Sequence, residues 1–372
     1  SMVTNPDSRI VLDEVAEGVL FSIFAGSYVG LQNGDTDKYV QKFWEHPGID
    51  SELWSKFQMP TTTIDHYNGR SSLVRWEKGV GDLSASTQAR IQGVEAWGKD
   101  GVVVRLTKPC PSALYSGDLY DQSSAAIIPQ KEEHLAAIWC YCSSKDFRVE
   151  LEKIDQKRNV TNATFVKVPI NIDKWIEVAD SKYPNGLPKP YSNDPDQWVF
   201  HGHPCGSVVW DDKNKKTANG GVRIDDSVLH VAAARLLGYQ WPSDLDVSME
   251  LDDQQYFWVE ESKKLLPFAD DDGIVCIPAV RGEKAADQRL EELLQVAYGD
   301  AWSAQVKNQL LESAGCKNKS LSFWLQEKFF EQHSKFFQHR PFIWHIWDGL
   351  KDGFSALVNH HQLDKKNLER LI

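Results

Sequence analysis

Long apolar runs are what this chain of 372 residues has least of. None approaches the roughly eighteen residues needed to cross a bilayer. The N-terminus also lacks the charged region followed by an apolar core that marks a secretory signal, so no membrane partner is expected and the chain reads as cytoplasmic. Cysteine is sparse too. Cys110, Cys140, Cys142, Cys205, Cys276 and Cys316 show no spacing that suggests a disulfide framework, and buried, reduced thiols are expected. Cys140 and Cys142 fall in the apolar run 136–142, on different sides of a helix, and cannot form a compact metal clamp. Basic charge is short as well: 41 Lys and Arg stand against 53 Asp and Glu, a net charge of -12. Taken alone, that balance argues against a nucleic-acid partner, because DNA binding depends on neutralising phosphates. The deficit is local, however. Residues 243–300 hold 15 acids and 5 bases, whereas residues 301–372 hold 7 acids and 10 bases, so a basic face elsewhere stays open.

What is present describes a globular protein. Hydrophobic residues at 41% and charged residues at 25% leave no room for a disordered or fibrous reading, and 42.2 kDa is enough for two or three cores. Residues 1–182 mix short strands with a few helices. The β-branched run 102–106 and the apolar run 126–128 read as strands. Helices are expected over 132–142 and through Phe147, Leu151 and Ile154, with Ser143 and Ser144 as caps. Residues 163–169 read as a closing strand. Residues 183–200 are rich in proline and read as a linker. Residues 201–372 are helix-rich: a helix capped by Ser227 runs to Leu237 and stops at Gly238, and residues 285–298 end at Gly299. Residues 303–314 and 320–337 repeat that pattern. A β-hairpin is expected from Pro341 to Val358, turning between Asp348 and Gly353. The fold class is thus α+β, a mixed strand and helix domain followed by a helix-rich C-terminal domain with a hairpin.

Sites for metal or hydrolytic chemistry are thin. His201-Gly-His203-Pro-Cys205 comes nearest to a zinc set, but a structural zinc takes four ligands and no second pair stands out. It reads as a loop. His333, His339, His345 and His360-His361 are diffuse. Asp252-Asp253 and Asp270-Asp271-Asp272, with Lys263 and Lys264, match a nuclease carboxylate-lysine set in composition only and read as solvated acidic loops. Gly98-Lys-Asp-Gly101 is too short for a phosphate loop and reads as a tight turn.

Near the start stands Gly30-Leu-Gln-Asn-Gly34-Asp35-Thr-Asp37-Lys-Tyr39, followed by Phe43-Trp44-Glu45. Further blocks are Ala126-Ile-Ile-Pro-Gln-Lys, then His134-Leu-Ala-Ala-Ile-Trp-Cys-Tyr-Cys, Val160-Thr-Asn-Ala-Thr-Phe-Val-Lys-Val-Pro169 and Arg340-Pro-Phe-Ile-Trp-His-Ile-Trp-Asp-Gly. In that order they resemble the target-recognition and C-terminal region of type IIG-like restriction-modification N6-adenine DNA methyltransferases, relatives of BREX-type phage-defence methyltransferases. The first block departs from the family's Gly-hydrophobic-x-Thr-Gly-Asp-Asn pattern at two positions, with Asn33 for Thr and Thr36 for Asn.

The resemblance implies a part that grips double-stranded DNA while an adenine is flipped into a methyltransferase domain supplied in cis. That domain would hold S-adenosylmethionine. Here the Gly-containing donor turn is missing, and so is the Asn/Asp-Pro-Pro-aromatic loop; Asn193-Asp194-Pro195-Asp196 lacks the second proline and the aromatic. No catalytic residue, cofactor or metal is therefore expected in this chain, which should be inactive alone. Ser1-Met2 reads as the remnant of a removed tag, so a longer parent is expected: an adenine-specific DNA methyltransferase, with or without a fused endonuclease. The candidate DNA-binding residues are Gln32 and Lys38 in the first block, Arg70, Arg75, Arg90 and Lys99 in the polar stretch 68–99, and Lys157 and Arg158 beside Asn159. Aromatic residues from Phe342 to Trp347 read as hairpin core rather than base-stacking platforms. Two other classes stay open. Fourteen tryptophans with many acids would suit a carbohydrate-binding or hydrolytic protein, and the acidic stretch 243–300 would suit a protein-interaction scaffold.

Overall fold

The structure, a computed structural model, describes residues 19–280, 282–350 and 353–371. Ser1, Met2 and the hairpin-turn residues Lys351 and Asp352 lie outside these. The architecture is α+β, with several small sheets among many short helices. Two units share the chain and are interleaved in sequence: one holds Ser1–Gln41, Asp50–Pro188 and Asp211–Lys216, the other Lys42–Ile49, Lys189–Trp210 and Thr217–Ile372.

The strands of the first unit that matter here are β1 (Ala25–Val29), β2 (Trp54–Gln58), β3 (Ser72–Arg75), β4 (Asp100–Arg105), β5 (Ser112–Ser116), β6 (Leu119–Tyr120) and β7 (Ser124–Pro129). One antiparallel sheet has the order β1-β7-β4-β5, with Val103 opposite Ala126 on one side and Ala113 on the other. Its central strand buries Val102, Val103 and Val104 completely. Burial on both faces is why that stretch is a continuous apolar run rather than an alternating one. Val103 packs among Tyr115, Tyr120 and Trp97, while helix α1 (Leu135–Cys142) lies against the same strand. In a second sheet β2 pairs antiparallel with β3 and parallel with β6.

Helix α2 (Lys145–Ile154) starts as its sequence dictates: Ser144 accepts the Phe147 N–H at 3.2 Å, and Phe147 and Leu151 are buried. Residues 163–169 depart from expectation. Asn162–Thr164 is a 3-10 turn, and only Pro169–Ile170 pairs, with Val19–Leu20. Successive turn bonds from Thr164, Phe165 and Lys167 take the donors a strand would need. The stretch 183–200 is irregular, as its prolines require, yet it is packed: Tyr183 belongs to the core of the first unit, and Trp198, Val199 and Phe200 to that of the second.

The second unit is built around helix α3 (Ser227–Leu236), every residue of which is buried. A helix covered on all sides is apolar all round. Its one cation, Arg235, pairs with Asp244 at 2.8 Å and donates to the Gly202 carbonyl at 2.8 Å. Ser227 does not cap this helix; it lies inside it, and the Asp225 carboxylate takes the Ser227 N–H at 3.0 Å. Around α3 are α4 (Asp253–Lys263), α5 (Ala286–Tyr298), α6 (Ala304–Ser313), α7 (Leu321–Glu327) and α8 (Phe329–Phe336). The last two replace the single helix expected over 320–337, because Lys328 leaves helical geometry at φ -126. Ser303 and Ser320 cap as expected.

The hairpin forms from β9 (Ile343–Trp347) and β10 (Ser355–Asn359), and β8 (Ile274–Cys276) adds to its far side. Central β10 is buried throughout, whereas β9 is an edge strand. Phe342 and Ile343 are fully buried, but Trp344 is 48% and Trp347 58% exposed, so the expectation that the tryptophans are core is corrected.

Candidate nucleic-acid interface

The segment that opens with Gly30 is laid against the β6–β7 connection. Gly30 N–H bonds to Ser124 O at 3.1 Å and Leu31 N–H to Tyr120 O at 2.8 Å. A Cβ on Gly30 would stand 2.4 Å from the carbonyl oxygens of Tyr120 and Asp121, so only glycine permits this approach. Gly34 turns the chain at φ +75, and Asp35 then caps the short helix Thr36–Tyr39 by accepting Lys38 N–H at 3.1 Å. The two positions that depart from the family pattern touch each other: Thr36 Oγ1 donates to Asn33 Oδ1 at 3.2 Å.

Between these features Gln32 and Arg90 are joined by a reciprocal backbone bridge, Arg90 N–H to Gln32 O at 2.9 Å and Gln32 N–H to Arg90 O at 3.2 Å. Gln32 Nε2 reaches Gln88 O at 3.4 Å and Gln92 Nε2 reaches Gly30 O at 2.9 Å. The result is a polar ledge on which Arg90 is exposed and, among the described residues, makes no ion pair. Gln88 and Gln92 were missed by the sequence reading. Their signal was the alternation of polar 88, 90 and 92 with apolar 89 and 91, which puts the polar set on one side of an extended segment.

The remaining candidates are dispersed. Arg70 is only 2% exposed; it donates to Ser116 Oγ at 2.7 Å and lies 4.7 Å over the Tyr67 ring. Burial pushes the nearby Asp118 carboxyl up, and the charges of Arg70 and Lys56 draw it back. Placing Arg70 in a solvated reading loop is therefore corrected: its guanidinium is a core group of the first unit. Arg75 is tied to Glu77 at 2.9 Å, and Lys38 lies 3.6 Å from Asp82. Lys99, Lys157 and Arg158 are exposed, and none of them makes an ion pair among the described residues.

In the second unit two blocks of the resemblance meet. Trp44 is fully buried, its Nε1 donates to Arg340 O at 3.0 Å, and Arg340 pairs with Glu45 at 3.0 Å. His201 and His203 are buried in one loop, where His203 N–H bonds to His201 Nδ1 at 3.0 Å. Burial pushes the His203 imidazole down to about 3 and the Cys205 thiol up to about 12, and Cys205 Sγ donates to Ala297 O at 3.1 Å. Among the described residues no three His, Cys, Asp or Glu are placed to hold a metal ion. The acidic stretches are only in part the solvated loops expected: Asp253 and Asp271 are exposed, but Asp252 and Asp270 have structural roles. Asp252 is 8% exposed and caps α4, Asp270 pairs with Arg289 at 2.6 Å, and Lys263 and Lys264 pair with Glu260 and Glu261 on α4. No helix among the described residues is long and apolar enough to cross a membrane.

The chain is thus an α+β protein whose first unit carries a polar ledge with one exposed arginine. No family model and no curated protein matches the chain. Among solved structures it is similar to the Type IIL restriction-modification enzyme MmeI, solved in complex with DNA, at 11% identity and a TM-score of 0.28. The match covers 78% of this chain and 37% of that enzyme. So distant a likeness carries no weight for the function of this chain, which rests on its own residues.

Proposed function

We propose that the chain reads and positions double-stranded DNA for a site-specific adenine-N6 DNA methyltransferase of a restriction-modification or phage-defence system. The observation that carries this reading is the Gln32–Arg90 bridge. It fixes an exposed arginine beside a glutamine on a rigid backbone, and these side chains form bidentate bonds with guanine and adenine edges in the major groove. The ledge grows out of the segment that resembles the family, and the negative net charge is no obstacle where a second domain supplies part of the phosphate grip. On this reading the methyltransferase domain in cis holds S-adenosylmethionine, and the protein works in the cytoplasm. Fluorescence anisotropy with duplex DNA at low salt tests the proposal. Weak, salt-sensitive binding that falls in Arg90→Ala supports it, and no binding to any duplex rejects it. Oligosaccharides in the same assay test the carbohydrate-binding alternative.

A further inference from the structure

Two loops of the first unit come together at a basic corner. Thr107 and Asn159 form an antiparallel bridge, Thr107 Oγ1 donates to Asn159 Oδ1 at 3.0 Å, Lys108 N–H bonds to Arg158 O at 3.0 Å and Val160 N–H to Leu106 O at 2.8 Å. This register sets Lys108 across from Arg158. Like charges facing each other across a ladder are destabilising. The nearby acids do not relieve the repulsion: Asp155 is turned to the Lys157 N–H at 2.9 Å, and neither it nor Glu152 makes an ion pair with Lys108 or Arg158. The loop is also held in a costly shape, since Cys110, 1% exposed, sits at φ +55, a region L side chains rarely adopt. A strained loop that keeps unneutralised cations together wants an anion from outside.

We infer that Lys108 and Arg158 form a clamp for the phosphodiester backbone of duplex DNA, separate in task from the Gln32–Arg90 ledge. The inference rests on the DNA-reading proposal and divides its labour: the ledge discriminates sequence, while the clamp supplies affinity that is blind to sequence and sensitive to salt. Charge, not shape, is what the clamp recognises, so lysine and arginine are interchangeable in it.

The test is anisotropy with the full chain and a random-sequence duplex across a salt series. The double variant K108Q/R158Q is expected to bind about tenfold more weakly at low salt, and the slope of log affinity against log salt should become shallower by about 2. Its melting temperature should hold or rise, because a repulsion has been removed. R158K should bind like the parent chain. An unchanged slope in the double variant, or a loss of binding matched by a loss of melting temperature and not rescued by R158K, overturns the clamp. So does saturable binding of inorganic tripolyphosphate tighter than that of the duplex, which would make the corner a small-anion site. If the double variant binds the random duplex normally while Arg90→Ala is impaired on the cognate duplex, the clamp fails and the reading ledge survives. If the unaltered chain binds no duplex, both fall.

Discussion

Arg70 and Arg90 come from one polar stretch, and their surroundings give them opposite work. The Arg90 guanidinium projects from a ledge whose backbone is already bonded, so replacing it by alanine leaves no buried group unsatisfied. Arg90→Ala is therefore expected to leave unfolding unchanged and, if the side chain reads a base, to cost about 1 to 3 kcal/mol on the cognate duplex with little effect on random DNA. Equal weakening of both duplexes would identify a phosphate contact instead. Arg70 is the reverse. It is bonded to Ser116 and offsets the burial of Asp118, so Arg70→Ala should destabilise the fold by about 1 to 3 kcal/mol in urea unfolding. A fully stable Arg70→Ala protein with impaired DNA binding would return this residue to the interface.

At the scale of elements, the hairpin shows how an edge strand divides its residues. Phe342, just before β9, is ringed by Tyr239, His333 and Phe337 at centroid distances of 4.2, 4.8 and 4.9 Å. Truncating such a side chain removes packing on every side, and Phe342→Ala is expected to cost about 3 to 5 kcal/mol. Trp344 meets Phe330 at a centroid distance of 5.8 Å, and Trp347 spends its indole N–H on Leu350 O at 3.0 Å. Alanine at either should cost less than about 2 kcal/mol, since roughly half of each ring already faces solvent. Chemical denaturation of the three variants checks the order. A Trp344→Ala loss equal to that of Phe342→Ala would mean that β9 is covered on both faces.

The whole chain carries a pH dependence set by buried histidines. Burial pushes His66 and His361 down to about 4, His203 and His230 to about 3, and His201 and His333 well below the ordinary range. Because the unfolded chain binds protons near pH 6.5 and the folded chain does not, these groups cost nothing above that pH. As pH falls from 6.5 towards the folded values, each subtracts up to about 1.4 kcal/mol per pH unit. Stability measured by urea unfolding should therefore decline between pH 6.5 and 4.5, with the six imidazoles outweighing the opposing effect of Asp194, whose carboxyl is pushed up to about 7 by burial. A flat profile over that window would show the imidazoles to be solvated. On the proposed reading a methyltransferase domain in cis would carry the chemistry: calorimetry is then expected to detect no S-adenosylmethionine binding by this chain, and saturable micromolar binding would contradict the proposal that the donor site lies in another domain.

How much of this was legible in the sequence follows from how local each signal is. Ser144, Ser303 and Ser320 cap their helices, and the 102–104 valines form a central strand, because caps and apolar runs act over a few neighbouring residues. The hairpin and the α+β class follow from the same short-range order. Tertiary packing decided the rest. It buried Arg70 and exposed Trp344, since an arginine can be held by a hydroxyl and a ring from distant segments, while an edge strand offers one covered face. It also brought Gln32 to Arg90 and Lys108 to Arg158 through backbone bridges between segments far apart in the chain. Periodicity reports which face a residue occupies but not which strand will lie beside it. That choice is made by long-range pairing, and it is where the candidate interface of this protein resides.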